Sequence, residues 1–189
     1  HETPVDRAWA LIAVSFMGFG SNAHNTQTRT GFRANSSRSG TTPAHDWAHY
    51  PSSLENIVNR LRGVVIENRP AIEIIKQHDS QETLHYVDPP CVHSTRSGKR
   101  QQDYRFEMTD EDHAELASVL NGCRGMVVIS GYPSDIYSKF YHGWHCVSKH
   151  AMADGARDRT EVIWANDAAY QRHNYSFSFP DSQIPLDKK

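Results

Sequence analysis

The residues best suited to chemistry lie in one short run, Leu84-His85-Tyr86-Val87-Asp88-Pro89-Pro90-Cys91. Thr83 to Val87 reads as a strand, so Asp88 stands at its carboxyl end, where open α/β sheets bind ligands. Two prolines then fix φ and remove two backbone N–H donors. What remains is a rigid corner rich in acceptors. A carboxylate and a neighbouring carbonyl there suit a substrate NH2 group, because both hydrogens can be held while the lone pair is aimed at an electrophilic methyl. As a bare tripeptide, Asp-Pro-Pro is equally a strand-ending turn, so its surroundings must decide.

Those surroundings read as alternating helices and strands. Val5 to Met17 has helical character and runs into a turn at Gly18-Phe19-Gly20. Ser52 or Ser53 can cap a helix over Leu54 to Leu61, with Glu55 near its amino end and Gly63 ending it. Val64-Val65-Ile66 has the composition of a buried strand, and Ala71 to Gln77 that of a helix. Thr109 and the acids after it cap a helix through Leu120. Met126 to Ile129 is an apolar strand turning at Ser130-Gly131-Tyr132-Pro133, and a short helix runs to Tyr141. Two more strands lie near Trp144 to Val147 and Glu161 to Trp164. Short apolar strands alternating with helices predict an α/β fold with a mainly parallel sheet covered on both faces.

Composition bounds the function. The formal net charge of −2 supplies no global attraction to nucleic acid, so any such binding rests on local clusters. Two are visible. Between Ser21 and Pro51 lie Arg29, Arg33 and Arg38 with His24, His45 and His49 against one acid, Asp46, interleaved with Phe19, Phe32 and Trp47. Arg96, Lys99, Arg100 and Arg105 follow the Asp88 corner. Each cluster is also what an ordinary solvated loop looks like. Cys91, Cys123 and Cys146 form no Cys-x-x-Cys pair, which argues against a disulfide framework or a zinc ribbon and for a reducing, cytoplasmic setting. The spacing of the twelve histidines gives no expectation of a metal centre. No apolar run approaches the roughly 20 residues of a membrane span.

The runs RLRGVVIEN, PAIEIIKQHD and TLHYVDPPCVHSTR resemble the Dam-type DNA adenine methyltransferases, as do YRFEMTDEDHAELASVL, RGMVVISGYPSDIY and ADGARDRTEVIWAN. The resemblance spans roughly Trp9 to Ala169. It implies a partial Rossmann-like methyltransferase sheet with a loop-rich DNA-recognition insertion, and transfer of a methyl group from S-adenosylmethionine to the 6-amino group of adenine. In that family the DPPY motif, matched by Asp88, Pro89, Pro90 and Cys91, holds an adenine flipped from double-stranded DNA. Cys91 departs from it, because the family's fourth residue is an aromatic that stacks on the base.

The same resemblance divides the chain into a core helix over 1–20, a target-recognition loop region over 21–51, the catalytic core over 52–169 and a flexible tail over 170–189. It places Arg29, Arg33, Arg38, Arg96, Lys99 and Arg100 on DNA. Glu67, Asn68 and Asp88 would approach the cofactor, with Val64 to Ile66 as the third strand of the sheet. The family's glycine-rich cofactor turn has no counterpart here, so a second chain supplying that half is an expected partner. A truncated, non-catalytic DNA-binding remnant is the alternative, and an unrelated hydrolase or nuclease using Asp88 a third reading. His113 is expected to pack or cap rather than act as a base.

Overall fold

In the computed structural model, residues 3–18, 42–96, 106–153 and 157–172 are described. The chain divides into two compact units, His1–Ile66 and Glu67–Lys189. Among the described residues no helix is long and apolar enough to cross a membrane.

The described residues of the first unit include a pair of helices. Helix α1, Pro4–Met17, begins with a capping box: the Thr3 hydroxyl accepts from Asp6 N, and the Asp6 carboxylate accepts from Thr3 N at 2.8 Å. Helix α2, Pro43–Leu61, starts well before the expected cap at Ser52 or Ser53. The cap is Thr42, whose hydroxyl accepts from His45 N at 3.2 Å, and Pro43 occupies the first turn, where a missing N–H costs nothing. Ser52 instead donates to the His49 carbonyl from within the helix. Pro51 is carried inside α2. Residues 43–51 of the anticipated recognition loop are therefore helical. Trp9 and Phe16, seven apart on α1, meet Trp47 and Tyr50 of α2 edge to face, with ring centroids 5.1–6.1 Å apart. Trp47 thus sits among these rings instead of lying in a loop.

Val64, Val65 and Ile66 do not form the expected strand; Val65 and Ile66 are 80% and 86% exposed. Their β-branched side chains favour a pleated, half-buried surface, but that preference takes effect only against a neighbouring strand.

The second unit holds a four-stranded sheet in the order β1-β2-β4-β3. Helix α3, Ala71–His78, precedes β1, Leu84–Val87. Helix α4, Asp110–Asn121, opens with a second capping box between Thr109 and Asp112 and crosses to β2, Met126–Gly131, which lies parallel to β1. Helix α5, Asp135–Phe140, leads to β3, His145–Ala153, and β4, Arg157–Ala165, and helix α6 covers Asp167–Arg172.

The fold is mixed α/β, and the expectation of a mainly parallel sheet is corrected. Both β2·β4 and β3·β4 are antiparallel. For β3·β4 the reason is connection length: a parallel return needs a crossover of a dozen or more residues, and Ala153 and Arg157 are too close for one. Val127, Ile129, Val162 and Trp164 face Leu116, Ala117 and Leu120 of α4 and Tyr137 of α5. Met126, Val128 and Ala165 pack on Ala169 of α6 across the other face. That helix carries order past the expected start of the tail at 170. Asn166 fixes it, its side-chain carbonyl accepting from Val127 N and Ala169 N while its amide donates to the Gly125 carbonyl.

Candidate functional site

The carboxyl ends of β1 and β2 open into a cleft of about 560 Å³, lined by Tyr86, Asp88, Pro89, Pro90, Cys91, Ser130, Gly131 and Tyr132. Lys149, Glu161 and the neighbouring residues of the β3–β4 hairpin close it. The sheet thus brings the expected corner to a concave surface of a size typical for small-molecule sites.

Parallel pairing sets Val87 beside Ile129, so the residues just beyond meet at the strand ends. Ser130 Oγ donates to Asp88 Oδ1 at 2.9 Å, which orients the carboxylate and leaves Oδ2 without a hydrogen-bond donor among the described residues. Asp88 itself is exposed to the cleft. Cys91 is half-buried, and burial pushes its thiol above the ordinary range, so it presents a neutral, soft surface.

Arg96 braces the corner from behind. Its Nε and Nη2 donate to the Cys91 carbonyl at 3.1 and 2.9 Å, and its guanidinium forks onto the Glu107 carboxylate. With only 10% of its side chain exposed, Arg96 is directed inward to the polypeptide rather than outward to a phosphate. Sequence reasoning placed it in a DNA-binding cluster; its buried partner Glu107 lies 11 residues on, and charge clustering alone gives no sign of such a pairing.

The other side of the cleft is held by packing. A Cβ on Gly131 would lie 2.9 Å from Tyr137 Cε2, so only glycine lets β2 end flush against that ring. Tyr137 is buried, its hydroxyl 3.1 Å from His113 Nδ1, and burial raises the phenol far above its usual range. His113 is fully buried with its pKa lowered, chiefly by burial, and packs edge-on to Tyr137, as expected of a structural histidine. Arg159 of β4 donates to the Tyr132 hydroxyl at 3.0 Å and lies 5.0 Å from its ring centroid.

No protein-family model matches the chain, and no curated protein matches it.

Glu67 and Asn68 are exposed and do not line the cleft; Glu67 stands 3.9 Å from Arg69. Their expected role depended on a strand over Val64–Ile66, and that strand does not form. Arg29, Arg33, Arg38, Lys99 and Arg100 lie outside the described residues. Lys149 and Glu161 line the site without having been singled out, because only the strand order places the hairpin across from Asp88.

A group with metal-ligand chemistry also forms: Asp79, His85 and Cys123 bring ligand atoms within 4.8 Å of one another. The Asp79 carboxylate, however, already accepts from Arg124 N at 2.9 Å and Gly125 N at 3.0 Å, and the Cys123 thiol donates to the Val119 carbonyl. These contacts tie the end of α3 to the entrance of β2.

Proposed function

We propose that the chain is the catalytic-motif half of an S-adenosylmethionine-dependent DNA adenine methyltransferase. The observation that carries the reading is the Asp88-Pro89-Pro90 corner, opening into a cleft with one carboxylate oxygen fixed by Ser130 and the other available. That oxygen can accept one hydrogen of an exocyclic amine. The Pro89 and Pro90 carbonyls, which accept no hydrogen bond among the described residues, can take the other. The Cys91 carbonyl is already engaged by Arg96. An amine held at both hydrogens directs its lone pair away from the corner, ready for a methyl donor. Attack by a neutral amine on a sulfonium methyl needs little base assistance, in keeping with the absence of His113 from the cleft lining.

Strand β1 is the edge of the sheet among the described residues, and Leu84 and Tyr86 on one of its faces are 50% and 64% exposed. An open, partly apolar edge suits continuation by strands of a cofactor-binding half. Titration of S-adenosylmethionine by calorimetry tests this part: the chain alone should bind weakly, and a fragment carrying a glycine-rich cofactor turn should restore micromolar binding. Micromolar binding by the chain alone would place the cofactor site within it.

The reading as a non-catalytic DNA-binding remnant is favoured by one feature, Cys91 in the place of an aromatic. It predicts DNA binding without methyl transfer even in the complemented protein.

A further inference from the structure

Cys91 offers no flat surface to the cleft, and an extruded base gains much of its binding from stacking. We propose that Tyr132 supplies that surface, holding a purine ring whose amine meets Asp88. The inference rests on the reading above, that the cleft takes an adenine.

Three constraints fix Tyr132. The strand end that carries it is tied to Asp88 by the Ser130 hydrogen bond, so the ring and the carboxylate share one rigid frame. Gly131 lies beside the Tyr137 ring, which leaves no room for a Cβ and is itself hydrogen-bonded to His113, so the backbone before Tyr132 backs onto a packed core. Arg159 then holds the ring directly, through its donation to the hydroxyl and its place by the ring. An aromatic held in advance loses little conformational freedom when a second ring stacks on it. Tyr86, the other aromatic of the lining, is 64% exposed on the edge strand and has no ring or cation contact among the described residues. Tyr132 is the pre-positioned one.

The test uses two duplexes of mixed sequence, one fully paired and one with a single adenine opposite an abasic site, which removes the pairing cost of extruding it. Fluorescence anisotropy gives the affinity of the full chain for each. The unpaired adenine should be preferred by the wild type and by Tyr132→Phe. Tyr132→Leu should lose that preference by roughly 5- to 150-fold, the range that base stacking on an aromatic gives, with affinity for the paired duplex unchanged. Cys91→Tyr in the Tyr132→Leu background should restore it. In the otherwise unaltered chain, Cys91→Tyr should change the preference less than about 2-fold, since a platform is already present; this arm stands even if Tyr132→Leu fails to fold. An undiminished preference in folded Tyr132→Leu, or a gain of the full stacking range in Cys91→Tyr alone, would overturn the role of Tyr132 and leave the reading of the cleft intact. Failure of the wild type to bind either duplex would instead overturn the nucleic-acid reading.

Discussion

Ser130 Oγ donates a 2.9 Å hydrogen bond to Asp88 Oδ1 across the parallel β1–β2 pair, joining the acid of the cleft to the strand that delivers Tyr132. Ser130→Ala removes a donor to a charged acceptor and should cost roughly 1.5–3 kcal/mol at most, less here because Asp88 is exposed. Urea unfolding gives the change in stability. In a complemented enzyme the same variant should lower kcat while leaving affinity for DNA and S-adenosylmethionine largely unchanged, because it loosens the orientation of Asp88 alone.

Arg96 and Glu107 form a mostly buried ion pair whose other function is to hold the Cys91 carbonyl. Glu107→Ala removes the carboxylate onto which the guanidinium forks and should destabilise the second unit by about 3 kcal/mol. Arg96→Met, which keeps the bulk and removes the charge, takes away the same fork and should cost a similar amount. A double-mutant cycle should show the two losses to be non-additive. Additive losses would mean that each side chain stabilises through other partners.

Asp79 accepts two backbone N–H bonds from Arg124 and Gly125. The Arg124 N–H holds its carboxyl below the usual carboxylate range, overcoming partial burial, with smaller help from the Gly125 N–H and the Arg124 charge. A depressed folded pKa contributes stability above the unfolded value near 3.9, lost as pH falls through the lower folded value. Asp79→Asn should therefore flatten the stability profile below about pH 4 and leave its shape near neutrality unchanged. Gly125→Ala should be at least as damaging, since an added Cβ would lie 2.6 Å from the Ser80 and Thr83 carbonyls.

His113 works in a different window. Burial lowers its pKa against the opposing charges of Asp110 and Asp112, so the folded state resists a proton that the unfolded chain accepts near pH 6.5. Stability should decline as pH falls from about 6.5 towards the folded value. His113→Gln, though less stable overall, should have a shallower slope there. Thermal melts between pH 7.5 and 5 would show it, and an unchanged slope would assign the titration to another histidine.

The local elements that carry strong chemical signals were legible in the sequence. Thr109 with Asp112, the alternation into Asp88 and the apolar run Met126–Ile129 each specify their own geometry. What failed depended on partners distant in the chain. Val64–Ile66 has the composition of a strand and pairs with none among the described residues. Ser52 and Ser53 look like caps, and the cap that α2 uses is Thr42. Arg96 looks like a surface cation until Glu107 closes on it. The corner at Asp88 could be read because two prolines act locally; Lys149 and Glu161 became part of the site only through the sheet order.

Methyl transfer itself tests the central claim most directly. The chain, mixed with a fragment bearing the glycine-rich cofactor turn, is incubated with S-adenosylmethionine and unmethylated duplex DNA, and N6-methyladenine is counted by mass spectrometry. Asp88 is expected to hold the reacting amine, so Asp88→Ala should reduce product formation by at least about 100- to 1000-fold with DNA affinity largely retained, the scale of losing one transition-state contact. Product formation undiminished by Asp88→Ala, or none in a wild-type mixture that binds both cofactor and DNA, would contradict the account.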